Sequence, residues 1–181
     1  MREDTRTRIQ EIALRLFTEQ GYEATSLREI AEELGVTKAA LYYHFKTKDD
    51  IVASLVDTRL QELEELLAWL KEQPKTAETR REVVERYAEQ VRGGRHLGIG
   101  RFLERNQTAL RDNPTLIKIR DRMMELTVEM SPPDATPTER LRHALALFAL
   151  HAGKWLMKEE ELSEEEVHKA CLEVADRLLQ P

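Results

Sequence analysis

The sequence predicts an all-α protein of about nine helices, and three observations point to that fold class. Apolar residues recur at three- and four-residue spacing along most of the chain. Only seven glycines and six prolines occur among the 181 residues, and most of them stand where the periodic segments stop. Serine, threonine or asparagine, followed by glutamate or proline, stands where several segments start, as helix N-caps do. A chain of this length suits one or two domains and can bury a core.

Two helices are predicted between Arg8 and Leu34. The first ends at Gly21, and its apolar stripe consists of Ile9, Ile12, Ala13, Leu16 and Phe17. Ser26 and Glu29 then form a capping box, which places the start of the second helix at Ser26. The apolar side of this second helix consists of Leu27, Ile30, Ala31 and Leu34.

A tight turn and a short third helix follow, which predicts a helix-turn-helix over residues 26–45. Gly35 suits the left-handed conformation at a helix end, and the Thr37 hydroxyl can cap the next helix. Leu41 and Phe45 are four residues apart and should face inward. The residues left facing outward are Lys38, Ala39, Tyr42, Tyr43 and His44. Because this face is aromatic and cationic, we predict that the helix reads a DNA major groove.

These motifs resemble those of a known family. The matching residues are Ala13, Leu16-Phe17, Gly21-Tyr22 and Thr25, then Ile30-Ala31 and Leu34-Gly35-Val36, then Leu41-Tyr42, Phe45-Lys46 and Lys48. With them the chain resembles the TetR family of bacterial transcriptional regulators over less than a third of its length. The resemblance implies a three-helix DNA-binding domain over residues 3–50 and a helical effector-binding and dimerisation domain over residues 51–181. It also implies a repressor that binds a palindromic operator as a homodimer and that a small molecule releases.

The DNA contacts are expected from the helix-turn-helix and its borders. The candidate residues are Thr25, Arg28, Thr37, Lys38, Ala39, Tyr42, Tyr43, His44 and Lys48. Lysine and histidine can reach phosphate or guanine, while tyrosine hydroxyls donate to phosphate and their rings cover thymine methyls. Lys48 and Tyr42 match the contacting positions of the family. Thr37 could instead act only as a cap, and His44 could be a solvated surface residue.

Further helices are predicted after this motif. Their expected limits are Lys48 to Lys71, Thr79 to Val91, Arg95 to Leu110, Asn113 to about Met130, Thr136 to about Glu159, and Ser163 to Leu179. The first contains neither glycine nor proline and ends before Pro74. Asn113 and Pro114 supply a cap and a first-turn proline, and Thr136 and Ser163 each begin a capping box.

The last two helices carry the predicted dimer contact. Both have apolar stripes, and such helices can form a four-helix bundle with their copies in a second protomer. The expected interface residues are Leu141, Leu145, Phe148, Ala152, Val167, Cys171, Val174 and Leu178. A single helix-turn-helix binds DNA weakly and two-fold half-sites strengthen binding, which favours the dimer. Alternatively, both stripes pack into the core of one protomer.

The family resemblance implies a small-molecule pocket in the helical core. The candidate lining residues are Tyr87, His96, Phe102, Asn106, Met123, Leu126, Met130, His151 and Trp155. Methionines and a tryptophan with few charges would suit an apolar or aromatic effector. Alternatively, Phe102, Met123 and Trp155 are ordinary core residues.

Composition limits the compartment and the partners. The net charge of −6 argues against a nucleic-acid partner, but residues 37–48 hold three lysines, one histidine and no acid. Local charge governs phosphate contact, so DNA stays a candidate partner. The single cysteine, Cys171, rules out an internal disulfide and fits a reducing cytoplasm. Without an apolar signal segment or a long apolar run, we expect a cytoplasmic protein that does not enter a membrane.

No pattern of residues predicts catalysis. His168 and Cys171 have helical spacing, but one pair supplies fewer ligands than a stable metal site needs. No ordered serine, histidine and aspartate set and no phosphate-binding glycine loop is visible, so we expect no enzyme activity, cofactor or metal. The remaining alternative is a helical enzyme or scaffold protein whose helix-turn-helix segment is only structural.

Overall fold

The computed structural model describes residues 2–92, 94–157 and 162–180, and for residues 2–4, 94–97, 154 and 155 it describes the backbone alone. Within these ranges the chain forms nine helices and no strand, which confirms the predicted all-α class. The helices are α1 (Arg2–Glu19), α2 (Leu27–Leu34), α3 (Lys38–His44), α4 (Lys48–Lys71), α5 (Ala77–Val91), α6 (Gly94–Arg105), α7 (Pro114–Glu129), α8 (Pro137–Leu156) and α9 (Glu164–Leu179).

The described residues divide into two compact units. The first unit comprises Met1–Leu60 with Gly93–Ile119, and the second comprises Gln61–Arg92 with Arg120–Pro181. This division differs from the expected boundary after residue 50. The start of α4, all of α6 and the start of α7 lie in the first unit, although the sequence analysis assigned them to the C-terminal domain.

The first unit has an apolar core to which α1, α2, α3, α4 and α6 all contribute. Fully buried core residues include Ile9, Phe17, Ile30, Leu41, Ile51 and Phe102. The Phe17 ring lies 5.2 Å from the Tyr22 ring and 5.6 Å from the Phe102 ring, measured between centroids. Burying each such side chain stabilises a fold by about 1.5–3 kcal/mol. These contacts hold α3 against the rest of its unit.

Most helix starts follow the predicted capping chemistry. Ser26, Thr136 and Ser163 each accept a hydrogen bond from the backbone of a glutamate three residues on, and that glutamate side chain accepts one in return. Helix α5 differs, because it starts at Ala77 instead of Thr79. The Thr76 hydroxyl oxygen accepts the Thr79 amide at 3.1 Å, so Thr76 is the cap.

Helix α6 ends five residues before its expected limit at Leu110. The chain forms turns after Arg105, where the side chain of Asn106 donates to the Phe17 carbonyl in α1 and to the Phe102 carbonyl in α6. Asparagine side chains compete with helical hydrogen bonds in this way, which explains why an apolar pattern alone overestimates the helix. The expected limit of α8 at Glu159 lies outside the described residues.

The second unit contains a buried polar pair among its apolar residues. The Ser131 hydroxyl and the His143 Nδ1 atom lie 2.8 Å apart, and both residues are buried. Burial, followed by repulsion from Arg80 and Arg142, lowers the pKa of His143. The folded unit therefore favours neutral His143. Neutral His143 contributes fully to the stability of the fold above the unfolded pKa of about 6.5, and this contribution is lost as the pH falls below that value.

Helices α8 and α9 approach closely at Gly153. A Cβ atom on Gly153 would lie far inside the van der Waals contact distance of the Cys171 sulfur. Cys171 is 6% exposed, so its side chain packs against α8 of its own protomer. Cys171, which was expected at a dimer interface, therefore packs within its own protomer, where its sulfur fills the space beside Gly153.

We predict that Gly153→Ala lowers the free energy of unfolding by about 1–3 kcal/mol, because the added methyl group overpacks the α8–α9 contact. Urea denaturation followed by circular dichroism measures the change. Gly100→Ala is the matched control in another helix: no atom lies within 4 Å of the added Cβ, so this variant should be as stable as the wild type or more stable. Adding Cys171→Ala to Gly153→Ala should recover part of the loss. Wild-type stability for Gly153→Ala alone would contradict the close approach.

Candidate nucleic-acid interface

The turn between α2 and α3 has the geometry of a helix-turn-helix. Gly35 has a φ angle of +72°, a left-handed conformation that glycine adopts at low cost. Its amide donates to the Glu32 carbonyl at 3.1 Å, and the Val36 amide donates to the Ala31 carbonyl at 3.0 Å. These two bonds satisfy carbonyl groups at the end of α2 and direct the chain into α3.

Helix α3 is held by its underside. Leu41 is fully buried and Phe45 is 2% exposed, both within the core of the first unit. The Arg6 guanidinium covers the outer side of the Phe45 ring at 4.5 Å from the centroid. The sequence analysis did not select Arg6, although its cationic position within the first helix was a visible signal. The anchored underside leaves the opposite face of α3 in solvent.

The exposed face of α3 is aromatic and basic. Tyr43 is 65% exposed, and its ring meets the His44 ring edge-on at 5.4 Å between centroids. Lys38 and Ala39 are exposed at the start of the helix. The Lys38 ammonium lies 5.3 Å from the centroid of the Tyr42 ring. We call Lys38, Ala39, Tyr43 and His44, with the outer edge of Tyr42, the α3 face.

Tyr42 differs from the fully outward position expected for it. Its side chain is half-buried and packs against the core of the first unit. The ammonium of Lys46 donates to the Tyr42 backbone carbonyl at 2.7 Å and so places a cation at the end of α3. Lys46 was counted in the local charge but was not selected as a contact, since its position after the helix gave no periodic signal.

Thr37 and Arg28 remain on the surface and already have partners. The Thr37 hydroxyl oxygen accepts the Ala40 amide at 3.2 Å, so Thr37 caps α3 as the sequence analysis allowed. The Arg28 Nε donates to Glu32 at 2.6 Å within α2, in an exposed ion pair. Exposed pairs of this kind are worth little, so Arg28 can exchange Glu32 for a phosphate at small cost.

Thr25 and Lys48 lie in the packed region next to α3. Thr25 is 1% exposed and its hydroxyl donates to the Gly21 carbonyl at 2.9 Å, so the structure contradicts a DNA contact through this hydroxyl. Lys48 is half-buried, and its ammonium donates to the Tyr22 carbonyl at 2.5 Å, above the Tyr22 ring at 4.4 Å. An ammonium has three donors, which leaves Lys48 able to reach one phosphate without leaving this position.

The structure separates the predicted effector residues into two groups. Tyr87, Met123 and His151 lie together in the second unit: the Tyr87 hydroxyl is 2.6 Å from His151 Nε2 and 3.1 Å from the Met123 sulfur. Leu126 and Met130 are buried in the same unit. The side chains of His96 and Trp155 lie outside the described part of the chain.

Phe102 and Asn106 belong to the first unit. Phe102 stacks on Phe17 in the first unit, and Asn106 hydrogen-bonds the turn after α1 in that unit. Both residues therefore have packing or hydrogen-bonding roles within the first unit, where α6 packs with α1. An open groove of about 470 Å³ does occur in the second unit, but Glu65, Leu66, Glu85, Arg86, Glu89 and Gln90 line it and none of them was predicted.

The predicted dimer residues other than Cys171 reach the surface of α8 and α9. Leu141, Leu145 and Phe148 are 60%, 43% and 49% exposed, and Val174 on α9 is 48% exposed. Ala152, Val167 and Leu178 are partly exposed. Since these residues recur at three- and four-residue spacing, each helix presents an apolar stripe to solvent. Stripes of exposed leucine and phenylalanine are typical of surfaces that a partner covers.

The described parts of the chain contain neither a cluster of metal ligands nor a helix that could cross a membrane. There, no three histidine, cysteine or acidic side chains gather closely enough to hold a metal ion. No described helix has the length and apolarity that crossing a membrane requires.

We predict that substitutions on the two sides of α3 lower the free energy of unfolding by different amounts. Leu41→Ala should lower the free energy of unfolding by about 2–5 kcal/mol, because it opens a cavity in the core. Tyr43→Ala, two residues away on the exposed face, should change it by less than about 0.5 kcal/mol. Urea denaturation of both variants tests this. Equal losses would mean that the Tyr43 ring is packed and cannot face a ligand.

Comparison with known proteins agrees with this architecture. Residues 9–55 match the family described as bacterial regulatory proteins, tetR family. A 65-residue segment is 46% identical to the transcriptional regulator AcrR of Shigella flexneri, and it covers 34% of this chain and 30% of that regulator. The chain therefore spans less than a third of the length of this curated relative.

Two solved structures resemble nearly the whole chain. AmtR of Mycobacterium smegmatis superposes with a TM-score of 0.63 at 26% identity, over 93% of this chain and 84% of AmtR. PfmR of Thermus thermophilus, a TetR-family regulator, superposes with a TM-score of 0.63 at 26% identity, over 96% of this chain and all of PfmR. Residues 9–55 thus match the tetR family of bacterial regulatory proteins, and the helical fold of nearly the whole chain is similar to that of the TetR-family regulator PfmR.

Proposed function

We propose that the protein is a transcriptional repressor that binds a palindromic operator as a homodimer and is released by a small-molecule effector. The observation that carries this proposal is the α3 face, which is aromatic, basic and exposed while Leu41 and Phe45 anchor the opposite side. A core-anchored helix with an exposed polar face is what major-groove reading requires. The family consists of regulators rather than enzymes, which agrees with this function.

The residues of the α3 face have different roles in this proposal. Tyr43 is exposed and His44 is partly exposed beside it, and both are suited to base edges, with the tyrosine ring against thymine methyls. Lys38 and Lys46 lie at the two ends of α3, where the phosphate backbones flank the groove. Lys48 and Arg28 contact phosphate beside them, and Thr37 serves mainly as the cap. Because salt screens distant charges, these local cations outweigh the net charge of −6.

A homodimer places two α3 faces on one duplex. The exposed stripes of α8 and α9 supply an apolar surface that a second copy covers in a four-helix bundle. Two-fold symmetry then presents the recognition helices to successive major grooves, about 34–36 Å apart. The operator is palindromic for the same reason.

The effector acts through the second unit. Tyr87, Met123 and His151 form a cluster in which a buried hydroxyl, a thioether and an imidazole meet. Such a mixture of apolar surface with few polar atoms suits an apolar or aromatic molecule. The effector releases DNA only if it binds the DNA-free state more tightly than the DNA-bound state. As a regulator of bacterial genes, the protein works in the cytoplasm.

Selection of duplexes from a random DNA library tests the function. Wild-type protein should enrich one sequence with two inverted half-sites, and we expect such a site in the region upstream of its own gene. Failure to enrich any sequence would contradict the repressor function and favour a helical enzyme or scaffold.

With the enriched duplex, we predict that Lys38→Ala weakens binding and reduces the slope of log K against log salt by about one phosphate contact. Fluorescence anisotropy at several salt concentrations measures both. Lys118→Ala, an exposed lysine on α7, is the matched control and should leave affinity and slope unchanged. Identical slopes for all three proteins would contradict the docking of α3.

We predict that Phe148→Glu produces a monomer, because it places a charge at the centre of the apolar stripe on α8. Sedimentation velocity should show a dimer for the wild type and a monomer for this variant. Val128→Glu is the control, since Val128 is 67% exposed on α7 and lies outside the two stripes. Dimers for both variants would show that another surface makes the contact.

A further inference from the structure

We propose that Asn106 and Asn113 are positioning residues for DNA recognition. Their side-chain amides fasten the segment between α6 and α7 to the turn before α2 and to the first turn of α4, which are the two borders of the helix-turn-helix. This inference rests on the proposed function and deepens it, because it assigns a segment outside the helix-turn-helix to the presentation of α3.

The Asn106 side chain bonds backbone groups at the ends of two helices and in the turn after α1. Its Oδ1 accepts the Tyr22 amide at 2.7 Å, and its Nδ2 donates to the Phe17 carbonyl at 3.1 Å and to the Phe102 carbonyl at 2.8 Å. Phe17 lies in the last turn of α1, where carbonyls have no partner within the helix. The Phe102 carbonyl, in the last turn of α6, also accepts the Asn106 backbone amide at 3.1 Å. One amide therefore closes the ends of two helices.

The orientation and burial of this amide follow from its partners. Only an oxygen can accept from the Tyr22 amide, so Nδ2 must face the two carbonyls. Asn106 is 6% exposed, and leaving these groups unpaired in a buried place is costly. Gly21, with a φ angle of +100°, turns the chain so that the Tyr22 amide reaches Asn106.

Asn113 makes the second link. Its Oδ1 caps α7 by accepting the Thr115 amide at 3.1 Å and the Leu116 amide at 3.2 Å. Its Nδ2 donates to the Asp49 carboxylate at 2.6 Å in the first turn of α4. The amide is 7% exposed, so water competes weakly for this charged bond.

The two links converge on the same small region. The Tyr22 hydroxyl donates to the same Asp49 oxygen at 2.9 Å, and the Lys48 ammonium donates to the Tyr22 carbonyl at 2.5 Å. Burial, followed by the bond to Asp49, raises the pKa of Tyr22, so its hydroxyl keeps the proton that it donates. Asp49 therefore accepts from both Tyr22 and Asn113, and this joins the turn after α1 to the start of α4.

These hydrogen bonds affect the position of α3 because α3 lies, along the chain, between the two segments that they fasten. The chain runs from Tyr22 into α2, through the turn to α3, and into α4, which begins at Lys48, one residue before Asp49. The Asp50 carboxylate accepts the amides of Lys46 and Thr47, both at 2.9 Å, which joins the end of α3 firmly to α4. A shift of α4 at Asp49 would therefore move the end of α3.

A swap of one hydrogen bond tests the inference on the full-length protein. The probes are the duplex enriched in the selection experiment and an unrelated duplex of equal length. Asn113→Asp keeps an N-cap residue on α7 but places two carboxylates against each other. We expect it to weaken binding to the enriched duplex about tenfold, while binding to the unrelated duplex at low salt stays unchanged. The variant should have a lower unfolding midpoint than the wild type and remain folded under the conditions of the binding assay.

The double variant Asp49→Asn with Asn113→Asp exchanges the two groups and restores the hydrogen bond with its direction reversed. It should recover binding to within about threefold of the wild type. Gln107→Ala, next to Asn106 but exposed, is the control and should bind as the wild type does. Asn106→Ala should also weaken specific binding, although its lower stability makes the Asn113 variants decisive.

Three outcomes would overturn the inference. Asn113→Asp could bind the enriched duplex as tightly as the wild type. The folded double variant could fail to recover binding. Affinity for both duplexes could fall together with the unfolding midpoint, which would assign Asn113 to folding alone. A wild-type protein that enriches no duplex would overturn the proposed function itself, and that result is distinct from any failure of the variants.

Discussion

The burial of one side of α3 is the interaction on which the rest of the first unit depends. Leu41 and Phe45 are almost fully covered, and together they stabilise the unit by several kcal/mol, about 1.5–3 kcal/mol for each side chain. This anchoring fixes which residues of a seven-residue helix face solvent, although so short a helix is unstable in isolation. Without it, Tyr43 and His44 would have no defined direction, and a specific complex with base edges could not form.

Hydrogen bonds add to the apolar packing and fix the segments that flank α3. The carboxylates at the start of α4 are used in different ways: Asp50 joins the end of α3 to α4, and Asp49 receives the Tyr22 hydroxyl and the Asn113 amide. The segment after α6 is hydrogen-bonded, through Asn106 and Asn113, to the unit that contains α3. Two asparagines, one tyrosine and two aspartates thus hold in place the segments that border the recognition helix.

Sequence reasoning succeeded where local chemistry decides the structure. The capping box at Ser26, the turn at Gly35 and the long α4 were all predicted, because caps, glycine conformations and helical periodicity act within a few residues. It failed where distant residues meet. Phe102 and Asn106 looked like pocket residues, and nothing near them in the sequence shows that α6 packs against α1. Cys171 shared the spacing of its neighbours, but only the approach of Gly153 shows that it faces inward.

Protection of guanine N7 atoms in the enriched duplex tests the central claim most directly, because N7 lies in the major groove. Dimethyl sulfate footprinting should show two protected groups of guanines about 34–36 Å apart, on one face of the duplex. His44→Ala should lose protection at specific guanines within each group while phosphate contacts persist. Full reactivity of every N7 atom in a tightly bound complex would contradict the reading of the major groove by α3.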